Sequence, residues 1–597
     1  MKYSEVWNLD VFFEGGSDSP QLRSHLDEAA EKIAILKEEV EQFAVPTAIS
    51  EEGTVVALLD KLVDTGRYLR QAGAVIGCYL AADTTDKKAL LLQGETSSLG
   101  AQLSVVQLKF KQTLAQTEDT VWAELIQTEG LKTYEFILNE WREEVALKLS
   151  EEEENLITAL SVDGYQGWGQ LYDQLIADTR VTVKVDGEEK TLSVGQASNL
   201  SSHQDENVRQ DAFEKLEEAW TAKEDFFAST LNHLAGFRLA VYEKRGWDEV
   251  LQEPLKYNRM KAETLDAMWG AIRAQQAPFV DYLNAKARIL GKDKMNWYDL
   301  DAPVTTSTKT LSYQEGAEFI LNHFGEFGKE LEAFSRKAFE EGWIEAEDRD
   351  NKRPGGFCTG MPLSEQSRIF MTYSGSMSNV ATLAHELGHA FHSYALKDVP
   401  HLNRGYAMGV AETASTFAEM IVADAAVKAA ETKEEKIALL EDKVQRSVAF
   451  FMNIQSRFLF ETRFYEERKN GIVPAARLNT LMEEAQREAY GDALDVVHPH
   501  FWASKLHFYI TGVPFYNFPY TFGYLFSLSI YAKALEEGSN FEEKYMALLR
   551  DTAIMSVEDL AMKHLGEDIT QEAFWEKGVS LCTKDVEEFL ALTVKED

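Results

Sequence analysis

Apolar residues recur at three- and four-residue intervals over 22–43, 55–82, 87–115 and 133–147, the period of amphipathic helices. No proline falls between Pro46 and Pro254, a gap that suits long helices. Ser150 followed by Glu151-Glu152-Glu153-Glu154 reads as a helix start, with a capping hydroxyl and acids that the helix dipole favours. The period changes at 181–193. There Val181, Val183 and Val185 alternate with polar residues up to Asp186-Gly187, and Leu192 lies on the return side, which predicts a β-hairpin. The hairpin marks a seam between an N-terminal helical region, 1–190, and the rest of the chain, 191–597. Helical spacing resumes from Asp205 to Lys244, from Gln252 to Leu290 and over 312–343. A polar loop, Asp348 to Gly356, precedes Arg368-Ile369-Phe370-Met371-Thr372-Tyr373, which is rich in strand formers and ends at Ser374-Gly375. This strand is read either as an exposed edge to which an extended peptide adds or as a buried structural strand. The fold class is mainly α, with a small β element.

Composition narrows the function. A formal net charge of −39 over 597 residues argues against a nucleic-acid partner, because a phosphate backbone would be repelled. Cys78, Cys358 and Cys582 lie far apart without a Cys-x-x-Cys pair, which fits a reducing compartment. The first residues carry no apolar signal segment. The aromatic run from Phe515 to Leu535 is interrupted by Asn517, Pro519, Thr521 and Lys533, so it reads as a buried wall and not a membrane span. The expectation is a soluble, cytoplasmic protein without a membrane partner.

The chemistry concentrates at His385-Glu386-Leu387-Gly388-His389, a His-Glu-x-x-His pattern inside an apolar helical run. One turn apart, the two imidazoles project from one face and can share a tetrahedral metal, and Glu386 points towards water on that metal. Zinc lowers the pKa of the water, and the carboxylate takes its proton as the water attacks a peptide carbonyl. Region 191–597 therefore carries the catalysis.

A catalytic zinc takes three protein ligands and one open position. A third histidine six residues after His389 is excluded because Ala395 occupies that position. His392 lies about 10 Å along the helix axis from His385, too far to share the metal, and reads as a core histidine. His498 and His500 lack ligand spacing. Glu412 and Glu419, seven apart in an otherwise small and apolar helix, are costly there unless paired or bound to metal. Glu412 is taken as the third ligand and Glu419 as acceptor for a ligand histidine's ring N–H.

With these residues in hand, the chain resembles the oligoendopeptidase F branch of the thimet oligopeptidase family of zinc metallopeptidases. Ser374-Gly375, the Glu412-to-Glu419 spacing, Trp7-Asn8-Leu9 and the block from His507-Phe508-Tyr509 through Phe515 to Tyr524 support the likeness. The resemblance implies a two-lobed helical clamshell, like thimet oligopeptidase and neurolysin, enclosing a channel with one Zn²⁺ per chain. It implies short, unstructured peptides as substrates. It also implies His385, His389 and Glu412 as ligands, Glu386 as general base, and a C-terminal histidine and tyrosine that polarise the scissile carbonyl. His507 fits that histidine and Tyr520 is the first choice of tyrosine, with Tyr516 and Tyr524 expected against substrate. Two alternatives accompany the endopeptidase reading: an exopeptidase of dipeptidyl carboxypeptidase type, and a non-catalytic peptide-binding helical protein.

Overall fold

The computed structural model describes residues 2–305, 310–538 and 541–594. Helices α1 (Pro20–Glu41), α2 (Glu52–Ala82) and α3 (Lys87–Ala115) pack on one another, as the apolar spacing predicts. Their buried faces make two compact cores, one around Leu22, Leu26 and Ile76, the other around Leu59, Phe110 and Trp141. The helix predicted at Ser150 spans Glu151–Ser161 and begins with a reciprocal cap between Ser150 and Glu153.

The hairpin forms as expected. Strands β1 (Arg180–Val185) and β2 (Glu188–Ser193) pair antiparallel, Val185 opposite Glu188. Asp186 and Gly187 both take the left-handed conformation, φ 54° and 86°, which matches the twist of a two-residue turn. The three valines turn their buried side to the largest core, shared with α4 (Glu206–Arg245).

Two stretches read as continuous are broken. The 252–290 period divides into Gln252–Tyr257, Ala262–Ala274 and Gln276–Ile289. At the first break Arg259 has φ 51°, and its guanidinium is clamped by Glu140 at 2.7 and 2.9 Å and by the Ala553 carbonyl at 2.9 Å. The 312–343 period divides at Gly328, where the chain presses on the Glu542 carboxylate, and that carboxylate accepts from the Leu331 amide at 2.9 Å. In both places a partner distant in sequence decides where the helix ends.

The second sheet corrects an expectation. Its strands β3 (Ile344–Glu345), β4 (Phe357–Met361) and β5 (Gln366–Phe370) lie in the order β3-β5-β4. The strand carrying Arg368 to Phe370 is central and buried, so it offers no edge to a peptide. Its edges are β3, which is buried, and β4, which is mostly half-buried and is the edge open to a partner.

Helices α5 (Met377–Ala395), α6 (Thr413–Ala429), α7 (Lys433–Val448), α8 (Ile454–Arg468), α9 (Phe518–Glu537) and α10 (Glu572–Thr593) are the longer helices around the site in the C-terminal half. The run expected to form a wall is α9, buried against α6 and α10. Among the described residues, no helix is long and apolar enough to cross a membrane.

One buried acid fixes the entry to α9. Glu461, on α8, accepts from Asn517 Nδ2 at 2.6 Å, and Asn517 is the residue that caps α9. Burial pushes the Glu461 carboxyl up to about 8, against the charge of Arg238. The folded value lies above the unfolded one, so this contribution to stability is complete below about 4.5 and is lost as pH rises through about 8. Glu461→Gln removes the ionisation and keeps an acceptor for Asn517. Its unfolding free energy, measured by urea titration, should gain on wild type between pH 5 and pH 9, by an amount on the order of 2 kcal/mol. An unchanged difference across that range would place the ionised form at no disadvantage.

Candidate active site

Helix α5 starts from a built turn. Ser374 donates through its amide and its hydroxyl to Asn379 Oδ1, both at 2.8 Å, and Ser376 accepts from the Asn379 amide at 3.1 Å. Gly375 between them has φ +91° and sits against the Leu311 carbonyl, a conformation that favours glycine. Nineteen residues of regular helix follow. One turn apart on it, the rings of His385 and His389 meet edge to face at 4.9 Å.

Gly388 sets what faces them. A Cβ there would stand 2.4 Å from the Ala414 carbonyl oxygen and 2.6 Å from Ser415 Cα, so only a residue without a side chain lets α5 and the start of α6 approach this closely. Glu412 occupies the kink between a short turn, Met408–Ala411, and α6. Gly523 of α9 presses on the same corner, where a Cβ would lie 3.1 Å from that of Glu412.

The result is a convergence. Glu412 Oε2 lies 3.3 Å from His385 Nε2 and 3.5 Å from His389 Nε2, and one donor atom from each of the three residues falls within 4.8 Å of the others. Donors bound at about 2.0–2.1 Å to a tetrahedral metal stand about 3.3–3.4 Å apart, which the two separations from Glu412 match closely, so the donor chemistry suits zinc. Burial raises the Glu412 carboxyl. The hydrogen bond from His385, the neighbouring imidazoles and the Ser415 hydroxyl (2.7 Å) outweigh it and hold the group at about 2, ionised. Burial holds His389 down to about 4, leaving a neutral ring with a free lone pair.

Behind the donors, Glu419 Oε2 lies 3.0 Å from His385 Nδ1, which orients that ring and leaves Nε2 facing Glu412. Glu419 is also ion-paired with Arg446 of α7. Ser415 and Arg446 were not anticipated. Ser415 is three residues past Glu412, but nothing in the sequence singles it out, and Arg446 comes from another helix altogether.

Glu386 is buried, and its Oε2 has no hydrogen-bond partner. Burial first, and the Glu412 charge after it, push its carboxyl up to about 7, against His385. Its other oxygen faces Gly356 at the start of β4, where a Cβ would lie 3.3 Å away. An unpaired, basic carboxylate thus stands next to His385 on α5 and against Gly356, the residue before β4.

The C-terminal residues divide. The His507 ring stacks on Tyr516 at 5.4 Å and meets Tyr520 at 6.1 Å, and Tyr516 and Tyr520 meet at 5.2 Å. Tyr520 is coupled to the donor cluster, since the Glu412 charge helps hold its phenol above the ordinary range, after burial and Tyr516. Burial, Arg457 and Lys505 lower His507 to about 4. Tyr524, expected against substrate, is corrected to the core. It is buried, its hydroxyl lies 3.0 Å from Ser447 Oγ, and its ring stacks on Phe450 at 4.4 Å. His392 is wholly buried, stacked on Tyr406 and 2.9 Å from Thr552 Oγ1. His500 is held by Glu217 and Glu224 at 2.8 and 2.9 Å.

Comparison with known proteins places this arrangement. Residues 199–580 match the model of peptidase family M3, and residues 114–180 match that of its N-terminal oligopeptidase F domain. An oligoendopeptidase F homolog of Lactococcus lactis is 24% identical over 481 residues, which are 78% of each chain. Oligopeptidase PepF of Bacillus subtilis is 22% identical over 493 residues, 81% of this chain and 72% of its own. The crystal structure of oligoendopeptidase-F from Enterococcus faecium superposes with a TM-score of 0.70 at 20% identity, covering 95% of this chain and 97% of that one. The likeness shows a shared, mainly helical fold.

Proposed function

This chain belongs to peptidase family M3, a metallopeptidase family, and from that membership we propose a zinc-dependent endopeptidase that cuts internal bonds of short, unstructured peptides. The observation that carries this reading is the buried, unpartnered Glu386 carboxylate beside three converging metal-type donors. His385, His389 and Glu412 would hold the ion. Zinc bound there supplies a Lewis acid that acidifies water and polarises a carbonyl.

The protein's own groups do the rest. An extended peptide pairs with the free edge of β4, which brings its carbonyl beside Glu386. Glu386 takes the proton of the attacking water and delivers it to the departing amine. Neutral His507 and the Tyr520 phenol donate hydrogen bonds to the oxygen on which charge develops. Glu419 keeps the His385 ring turned so that Nε2 stays available.

Product mapping tests the reading. Peptides blocked at both termini should be cut internally, and a chelator should abolish the cut until zinc is restored. Cleavage only of peptides with a free C-terminus would instead favour the exopeptidase, and cleavage indifferent to chelation would remove the metal.

A further inference from the structure

Two cations beside the reaction centre have no carboxylate within ion-pair distance among the described residues. Arg457, on α8, donates Nε to Asn453 Oδ1 at 2.9 Å, and Lys505 lies two residues before His507. Both stand over the ring of Phe501, at 5.3 and 5.1 Å, and among the described residues neither forms an ion pair with a carboxylate. Each opens onto a cavity of about 350 Å³. The third cation of that wall, Arg209, is already paired with Asp299 at 2.8 Å. Among the described residues of the wall, a single carboxylate, Asp301, faces both cations, and it accepts from Ser201 at 3.1 Å. The cavity therefore keeps an excess of positive charge in a chain whose formal net charge is −39.

Such a pair is costly unless something answers it. Burial and then Arg457 depress the Lys505 ammonium to about 8, against the charge of Asp301, and burial lowers Arg457 to about 10. The wall joins the chemistry through the chain, since His507 follows Lys505 by two residues. His507 feels both cations, and Tyr520 feels Arg457 on one side and Glu412 on the other. A peptide extended past Tyr520 advances about 3.3–3.4 Å per residue, so a group a few residues from the scissile bond reaches these two side chains.

We propose that Arg457 and Lys505 form a carboxylate-recognition subsite for the peptide, one that determines specificity within the peptidase reading given above. The carboxylate is either an Asp or Glu side chain or the free C-terminus, and both present the same chemistry to a guanidinium and an ammonium.

Two peptide series around one cleavage site decide between them. The first differs only in a free or amidated C-terminus. The second is amidated throughout and carries Glu or Gln at each position in turn. Wild type should prefer the carboxylate partner of one series by about 10- to 100-fold in kcat/KM, mostly through KM. In Arg457→Met and in Lys505→Met, that ratio should shrink to within about threefold. Preference in the first series identifies the C-terminus, and preference in the second identifies a side chain. Ratios near one in both series for wild type, or a preference that both variants keep, overturn the proposal. The Glu386→Gln protein, titrated with the same peptides by calorimetry, gives the ratio without turnover. A wild type that cuts none of the peptides defeats the peptidase reading, while the calorimetric ratio still decides the subsite.

Discussion

Glu386→Gln should retain one zinc per chain while kcat falls by about 10²- to 10⁴-fold, with KM little changed. The amide matches the carboxylate in shape, so α5 keeps its path, and the metal-type donors lie on other side chains. What disappears is the only function Glu386 has in its place. Its Oε2 receives no hydrogen bond among the described residues, so no structural partner is lost, and burial together with the Glu412 charge already made the ionised form costly. The variant should therefore fold at least as well as wild type, which separates a chemical defect from a structural one. Metal analysis beside single-turnover kinetics gives the answer. Turnover within about tenfold of wild type, at full metal content, would take Glu386 out of proton transfer.

The parts of this site that were legible in the sequence are those governed by helical period. His385 and His389 share a face because they are one turn apart on an uninterrupted helix. Glu412 and Glu419 drew attention through their cost in a small, apolar stretch, although α6 begins only at Thr413 and Glu412 stands at the kink before it. Period fails where depth matters. Tyr520 and Tyr524 are also one turn apart on α9, yet the helix runs inward from Phe518. The first tyrosine meets His507, and the second is already in the core against Ser447 and Phe450.

Non-local pairing was less legible still. The strand pattern at 368–373 overlaps β5, which spans Gln366–Phe370 and stops before Met371, but its neighbours β3 and β4 come from segments on the same N-terminal side, and their order leaves β5 in the middle. Alternation of side chains says nothing about which edge stays free. Likewise the helices at 252–290 and 312–343 end where Glu140 and Glu542 reach in from elsewhere, with no local stop signal strong enough to place the breaks. Arg446, Arg457 and Lys505 lie on three separate elements, and only the assembled fold sets the first against Glu419 and the other two in one cavity wall.

Removing the carboxylate that joins the two histidines should have the other large effect. Glu412→Ala is expected to lose zinc on dialysis and with it all measurable hydrolysis, because two imidazoles alone leave half of a tetrahedral shell to solvent. The residues around it should grade downward in consequence. Glu419→Gln keeps the three donors but weakens the hold on His385 Nδ1, which predicts a loss of about 10- to 100-fold in metal affinity. His392→Ala removes a ring that stacks on Tyr406 and contacts Thr552, so it should reduce stability and leave metal content alone. The three effects come from one helix pair held together at Gly388, and their order is what the geometry dictates. Isothermal titration of zinc into the three apo-proteins measures that order directly. Wild-type affinity in Glu412→Ala, or loss of metal in His392→Ala, would mean that the donors converging at 3.3 and 3.5 Å are an ion-pair cluster of the fold and not the metal's seat.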